Sequence, residues 1–176
     1  MDHTKLPDKQ ALSAAIEMEE TGYSFYKETA TKAKDPLARQ VFDFLAGEEM
    51  HHIDAIKKFY DSYVTGKGQS PEQLSNPKDK PKSGVITNLF KSLTKNAPIA
   101  GSELDAYKFA IDFERKGEAF YKKAETEAVN PDAKKLYGFL IEEERRHFKI
   151  VESCLLYFEN PAEFFHQREQ WAVDGV

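Results

Sequence analysis

The chain has 176 residues, a formal net charge of −5, and 40% hydrophobic and 31% charged residues, which suits one good hydrophobic core and calls for no second domain. No stretch approaches the ~18 apolar residues of a membrane span, and no cluster of Lys and Arg interleaved with aromatics offsets the negative charge to attract nucleic acid. The single cysteine, Cys154, allows neither an internal disulfide nor a Cys-x-x-Cys metal module.

The opening MDHTKLPDKQ is polar and lacks the apolar core of a secretory signal, so a cytoplasmic location is expected. Over residues 8–34, Leu12, Ala15, Ile16, Glu19, Gly22, Tyr23, Tyr26, Ala30 and Ala33 recur at spacings of three and four, which predicts a first helix. Asp35-Pro36 then offers an N-cap and a first-turn proline, and Val41, Leu45, Ile56 and Phe59 carry a second amphipathic helix to about Val64. Gly, Pro, Ser, Asn and Lys dominate the stretch that follows, which reads as a loop interrupted by one short helical segment, VITNLFKSL. Ser102 and Asp105 resemble a capping box opening a third helix over 103–128. Asn130-Pro131 repeats the cap-and-proline device before a fourth helix over 131–158, and Asn160-Pro161 starts a short terminal helix through Trp171.

The two halves align without a gap at a constant offset of 95 residues. AIEMEETGYSFY matches AIDFERKGEAFY, Asp35-Pro36 matches Asn130-Pro131, and FLAGEEMHH matches FLIEEERRH. A duplicated helical hairpin is the natural reading, with hairpin one at 8–64, a crossover at 65–102, hairpin two at 103–158 and a C-terminal segment at 159–176. Two such hairpins pack into one four-helix bundle, and the chain is expected to form a single all-α domain over 1–176.

Six residues break the apolar stripes of these helices. Glu49 and His52 interrupt the line Val41, Leu45, Ile56, Phe59; Glu144 and His147 interrupt Leu136, Leu140, Val151, Leu155; Glu19 and Glu114 do the same in the first and third helices. A lone carboxylate moved into a core costs several kcal/mol unless it is neutralised. Four glutamates balance two divalent cations, with both imidazoles binding as neutral ligands, and Glu-x-x-His sets oxygen and nitrogen donors one turn apart on one helix face. Glu48 with His51 is an alternative register one residue earlier. Its counterpart in the second half is Glu143 with Arg146, so Glu49 with His52 is preferred. The charge run EEERRH is otherwise read as a solvated face, with Glu142, Glu143, Arg145 and Arg146 on or near the solvent side. His3 and His166 are read as surface residues.

With both motifs in phase with the core, the chain resembles the ferritin-like superfamily and within it the rubrerythrin-like di-iron proteins. The resemblance covers residues 8–158. It implies a ferritin-like four-helix bundle whose metal ligands are Glu19, Glu49, His52, Glu114, Glu144 and His147, with the Glu-x-x-His glutamates bridging two iron ions; manganese or zinc would suit the same donors. Tyr26 and Tyr121 each follow their helix's glutamate by seven residues, a spacing that also resembles the family. Either they hydrogen-bond a ligand carboxylate, in which case they are candidates to assist proton or electron movement, or they are core tyrosines with hydroxyls satisfied elsewhere. Two departures stand out. The position three residues after Glu114, often a further glutamate in rubrerythrins, is Gly117, leaving Glu118 as a neighbour that could approach the site. The cysteines of a rubredoxin domain are also missing, so electrons would come from a separate donor protein such as a rubredoxin. The resemblance implies an oxidoreductase reducing hydrogen peroxide or dioxygen, working as a homodimer. A ferroxidase that handles iron and a non-catalytic metal-binding bundle are the alternatives.

Overall fold

The computed structural model describes residues 6–65 and 101–173, with side chains described over 8–65 and 101–167. Five α-helices make up these residues, and none of them forms a strand: α1 (Leu6–Lys32), α2 (Pro36–Thr65), α3 (Gly101–Glu127), α4 (Pro131–Glu159) and α5 (Pro161–Val173). None of these helices is long and apolar enough to cross a membrane. The expected VITNLFKSL segment lies outside the described residues, as does the crossover apart from its ends.

The breaks between helices follow the capping chemistry. Asp35 Oδ1 accepts from Ala38 N at 2.9 Å just ahead of Pro36. Asn130 Oδ1 accepts from Asp132 N at 2.7 Å and Ala133 N at 3.1 Å ahead of Pro131. Asn160 Oδ1 accepts from Glu163 N at 3.2 Å, opening α5. In each case a side-chain oxygen satisfies an N–H that the first turn leaves without a helical partner. Ser102 departs from this pattern. It lies inside the first turn of α3, not ahead of it, because the helix already includes Gly101.

α1 packs chiefly on α2 and α3 on α4, so each half is an antiparallel hairpin; the halves meet through α1 against α3 and α2 against α4, and α5 rests on α4. Two buried carboxylates clasp the halves together. Glu103 Oε1, on α3, accepts from Lys34 N at 2.6 Å and Asp35 N at 3.0 Å in the α1–α2 turn. Asp8, on α1, accepts from Val129 N at 3.2 Å and Asn130 N at 3.0 Å in the α3–α4 turn. Asp8 and Glu103 are equivalent positions in the duplication, and each buried carboxylate satisfies part-buried N–H groups of the other hairpin's turn.

Apolar packing forms two clusters. One contains Ala30, Val41, Phe42, Leu45, Tyr107 and Val151; the other contains Leu12, Ile56, Phe59, Leu136, Tyr137 and Leu140. On every helix of the bundle the residues between these clusters include the stripe-breaking acids, so a polar layer is sandwiched midway along it. The first aromatic residues of the C-terminal segment have a definite place as well. Phe164 on α5 is buried against Tyr157 with ring centroids 5.3 Å apart and belongs to the first cluster, so α5 covers the bundle.

Candidate metal centre

All six stripe-breaking residues are at most 3% exposed, Glu114 and His147 being fully buried. α1 supplies Glu19, α2 Glu49 and His52, α3 Glu114, and α4 Glu144 and His147. The three-residue spacing of each Glu-x-x-His pair turns both side chains to the same helix face, and the antiparallel pairing of the hairpins brings all four helices to the same level.

The ligand atoms converge in overlapping groups. Glu19, Glu49, His52 and Glu144 form one; Glu114, Glu144 and His147 form another; Glu49, His52 and His147 form a third. Glu49 and Glu144 thus belong to groups on both sides of the centre, while Glu19 sits with His52 and Glu114 with His147. His52 Nδ1 lies 3.2 Å from Glu19 Oε2 and 3.7 Å from Glu49 Oε2. His147 Nδ1 lies 3.6 Å from both Glu49 Oε1 and Glu114 Oε2. The two imidazoles stack with centroids 5.3 Å apart.

Three of these atoms matter most. Glu49 Oε1, Glu114 Oε2 and His147 Nδ1 are buried without a hydrogen-bond partner, and the 3.6 Å gaps among them are too long for hydrogen bonds. Buried polar atoms left unpaired are costly and rare. The same gaps suit ligands of one ion, each ~2.1 Å from it. Carboxylate oxygens with imidazole nitrogens fit iron, manganese or zinc.

Electrostatics point the same way. Burial pushes the Glu144 carboxyl well up, and the carboxylates of Glu19, Glu114 and Glu49 push it further. Glu49 is raised for the same two reasons, burial and the neighbouring Glu19. Burial also works to raise Glu19, but hydrogen bonding to Glu49, the charge of His52 and the Tyr121 hydroxyl outweigh it and hold this carboxyl low. For His52, burial disfavours the charged ring, yet Glu19 and Glu49 carry it up to about 10; His147 is likewise raised against its burial, by Glu114, Glu48 and Glu49. These shifts favour positive charge, as protons or as cations, within the layer.

Tyr26 and Tyr121 are fully buried, and their hydroxyls donate to ligand-type carboxylates across the hairpin boundary: Tyr26 to Glu114 and Tyr121 to Glu19. Each orients the glutamate of the opposite half. Glu118 does not approach the centre; its carboxylate meets Lys122 at 2.8 Å and Arg145 at 2.6 Å on the outer face.

The charge run divides differently from its reading as a solvated face. Glu142 and Arg145 are exposed and paired, but Glu143 retains only 13% of its side-chain exposure and Arg146 is half-buried. Arg146 Nη2 bonds both Glu143 and Glu48. Glu48 is itself buried, while His51 is exposed. The periodicity of α2 places Glu48 beside the core stripe, and a partner on α4 lets it turn inward. Burial works to raise the Glu48 carboxyl, but His147 and Arg146 hold it below its ordinary range.

Two glycines complete the layer. A Cβ on Gly117 would lie 2.5 Å from Glu144 Oε2 and 2.9 Å from its Cδ; one on Gly22 would lie 2.7 Å from the Phe113 ring and 3.3 Å from Glu49 Cδ. Both glycines therefore leave room beside a buried glutamate, Gly117 beside Glu144 and Gly22 beside Glu49. Gly22 lies on the periodic stripe of α1, and the 95-residue offset pairs it with Gly117.

A family model described as Rubrerythrin matches residues 10–155. Among solved structures, a hypothetical protein from Pyrococcus furiosus is 23% identical, with a TM-score of 0.62 over 87% of this chain and 90% of that one. A two-domain protein from Anabaena variabilis, containing DJ-1/ThiJ/PfpI-like and ferritin-like domains, is 15% identical, with a TM-score of 0.60 over 86% of this chain and 40% of that one. These likenesses show the ferritin-like fold. None of the curated proteins matches the chain.

Proposed function

The chain belongs to the rubrerythrin family, and from that premise we propose that it is a di-iron oxidoreductase that reduces hydrogen peroxide, or dioxygen, with electrons from a separate donor protein. The observation that carries this reading is the facing of three unpaired, fully buried donor atoms, Glu49 Oε1, Glu114 Oε2 and His147 Nδ1, within a six-residue carboxylate–imidazole layer. Glu19 and His52 would hold one ion, Glu114 and His147 the other, with Glu49 and Glu144 between them. A reduced iron pair held there would supply two electrons, one from each ion, the chemistry that two-electron cleavage of a peroxide O–O bond needs.

The chain's own residues do the rest. The hydroxyls of Tyr26 and Tyr121 fix the carboxylates of Glu114 and Glu19, restricting how those ligands can swing. The apolar clusters above and below the polar layer keep bulk water from the centre, which strengthens each charge interaction inside it. Water formation from peroxide consumes two protons as well as two electrons, and the ionisable groups nearest the reacting atoms are those of the polar layer.

The test is to mix the reduced, iron-loaded protein anaerobically with hydrogen peroxide, and separately with air-saturated buffer, and to follow the iron absorption. Peroxide is expected to oxidise the centre faster than air does. Oxidation no faster with peroxide would remove the peroxidase reading, and repeated turnover of added Fe(II) by dioxygen would favour a ferroxidase.

A further inference from the structure

The two ends of the bundle repeat one stack of rings with different hydroxyls. Tyr121 lies against Tyr137 with centroids 6.1 Å apart and planes at 27°, and its counterpart Tyr26 lies against Phe42 at 6.1 Å and 22°. The 95-residue offset pairs Tyr137 with Phe42 and Tyr63 with Phe158, so one end carries phenols where the other carries phenyl rings. Tyr107 lies beyond Phe42 at 4.7 Å, but it is fully buried and packs next on Phe158. Packing does not account for the Tyr137 hydroxyl. It is buried without a hydrogen-bond partner, which is costly, and Phe42 shows that a phenyl ring serves at the equivalent place. Around that hydroxyl stand a base and a route outward. Burial pushes the Tyr137 hydroxyl up, and the Asp8 carboxylate and Tyr63 push it further. Tyr63 Oη in turn lies 3.4 Å from Asp8 Oδ2, and Tyr63 is part-exposed near the end of α2. A phenol gives up an electron far more readily than a phenyl ring does, and more readily still where a base can take its proton.

We propose that Tyr137 and Tyr63 carry an oxidising equivalent outward from Tyr121 to the end of the bundle, sparing the polar layer when electrons from the donor run short. The inference rests on the peroxide-reducing reading given above. Peroxide takes up two electrons and two protons to give two waters. Where the centre holds a single electron when peroxide arrives, the second electron comes from Tyr121, whose hydroxyl proton passes to Glu19 along their hydrogen bond. An electron from Tyr137 then restores Tyr121, which takes its proton back from Glu19, while the Tyr137 proton passes to Asp8. An electron from Tyr63 restores Tyr137, which recovers its proton from Asp8, and the Tyr63 proton is released to water. A small surface reductant of the ascorbate class returns one electron and one proton to Tyr63. At the other end of the bundle Phe42 interrupts any such sequence, so the relay runs one way out of the centre.

To test this, the iron-loaded protein is half-reduced anaerobically, mixed with hydrogen peroxide and frozen at intervals for electron paramagnetic resonance, with and without ascorbate. Peptide mass spectrometry then locates oxidised tyrosine. Parent, Tyr137→Phe, Tyr63→Phe and Tyr60→Phe are compared, Tyr60 being another part-exposed tyrosine of α2 that the relay does not use. The parent is expected to give a tyrosyl signal that ascorbate removes quickly, and oxidation products on Tyr63. In Tyr137→Phe the products on Tyr63 should be lost and the signal should outlast the parent's in ascorbate. Tyr63→Phe should prolong the signal likewise, and Tyr60→Phe should match the parent. Melting of the metal-free proteins should show Tyr137→Phe no less stable than the parent, since only an unpaired hydroxyl is removed. Products on Tyr63 that persist in Tyr137→Phe overturn the proposal, as does ascorbate quenching at the parent's rate in that variant. A clear loss of stability in Tyr137→Phe also overturns it, by giving the hydroxyl a structural purpose. A parent whose iron is oxidised by peroxide with no tyrosyl signal overturns the relay alone, whereas iron that peroxide leaves untouched overturns the peroxide-reducing reading and the relay with it.

Discussion

The two hairpins of this bundle are the same device used twice, but not all of the device is kept in both. Glu19, Gly22, Tyr26, Glu49 and His52 have counterparts of identical type in Glu114, Gly117, Tyr121, Glu144 and His147. Three of the conserved relations are reciprocal: Tyr26 serves Glu114 while Tyr121 serves Glu19, Asp8 serves the α3–α4 turn while Glu103 serves the α1–α2 turn, and the two histidines stack on each other. Around them the halves differ. Gly22 faces an aromatic ring where Gly117 faces a carboxylate, and Arg146 has only the exposed His51 as its equivalent. The contacts made twice, once in each direction, have stayed symmetric, and those made once have diverged.

The largest break in that symmetry is expected from the shared glutamates. Glu49→Ala or Glu144→Ala should impair both metal positions at once, whereas His52→Ala or His147→Ala should impair one, leaving about one ion per chain. Metal analysis after dialysis against the free ion reads the difference, and similar retention in all four variants would mean that no residue is shared.

The carboxylate clasps come next. Asp8→Ala or Glu103→Ala leaves two part-buried backbone N–H groups without their charged acceptor, at a cost of about 1–3 kcal/mol in all, since water can reach them in part. For a chain of this size that corresponds to a Tm lower by roughly 2–12 °C. Similar losses are expected from the two variants, since the contacts are reciprocal. Thermal unfolding of the metal-free protein measures this, and an indifferent variant would show that its turn is satisfied by other means.

The glycine pair should separate the halves. Gly117→Ala pushes the end of the Glu144 side chain, which can swing away, so metal affinity should fall more than stability. Gly22→Ala meets the Phe113 ring, and overpacking of that sort costs about 1–3 kcal/mol of stability. Matched metal titrations and melting curves test whether the two losses part in this way.

The smallest expected effect is that of pH on metal uptake. Glu49, Glu144, His52 and His147 all hold protons more tightly than usual when no metal is present. Metal must displace those protons, so affinity should rise from pH 6 to pH 8, with proton release on binding in weak buffer. Affinity that is flat or falls across this range would contradict the picture of protons standing in for cations.

Much of this was legible in the sequence. Stripe-breaking acids at helical spacing, repeated at a fixed offset, identify the bundle and bring out the six candidate ligands without any structure. Helix breaks at Asp35-Pro36, Asn130-Pro131 and Asn160-Pro161 were readable because capping is local chemistry. Asp8 and Glu103 were not singled out, and Glu48 only as part of the less favoured register with His51, since an acid near a helix start or beside a charge run is usually solvated, and what holds these three inward is a donor from the other hairpin. The offset itself held the missing signal, because Asp8 with Glu103, Glu48 with Glu143, and Gly22 with Gly117 are all like-for-like pairs. The direction of the tyrosine hydroxyls needed the fold, since spacing along one helix cannot reveal a partner across the hairpin boundary.

The central claim is that Glu49 and Glu144 join two metal ions into one centre built from both halves. The most direct test is anaerobic titration of the metal-free protein with Fe(II), beside the Glu49→Ala, Glu144→Ala double variant. Two ions per parent chain and none held by the double variant are predicted; a double variant that still binds two would contradict the claim.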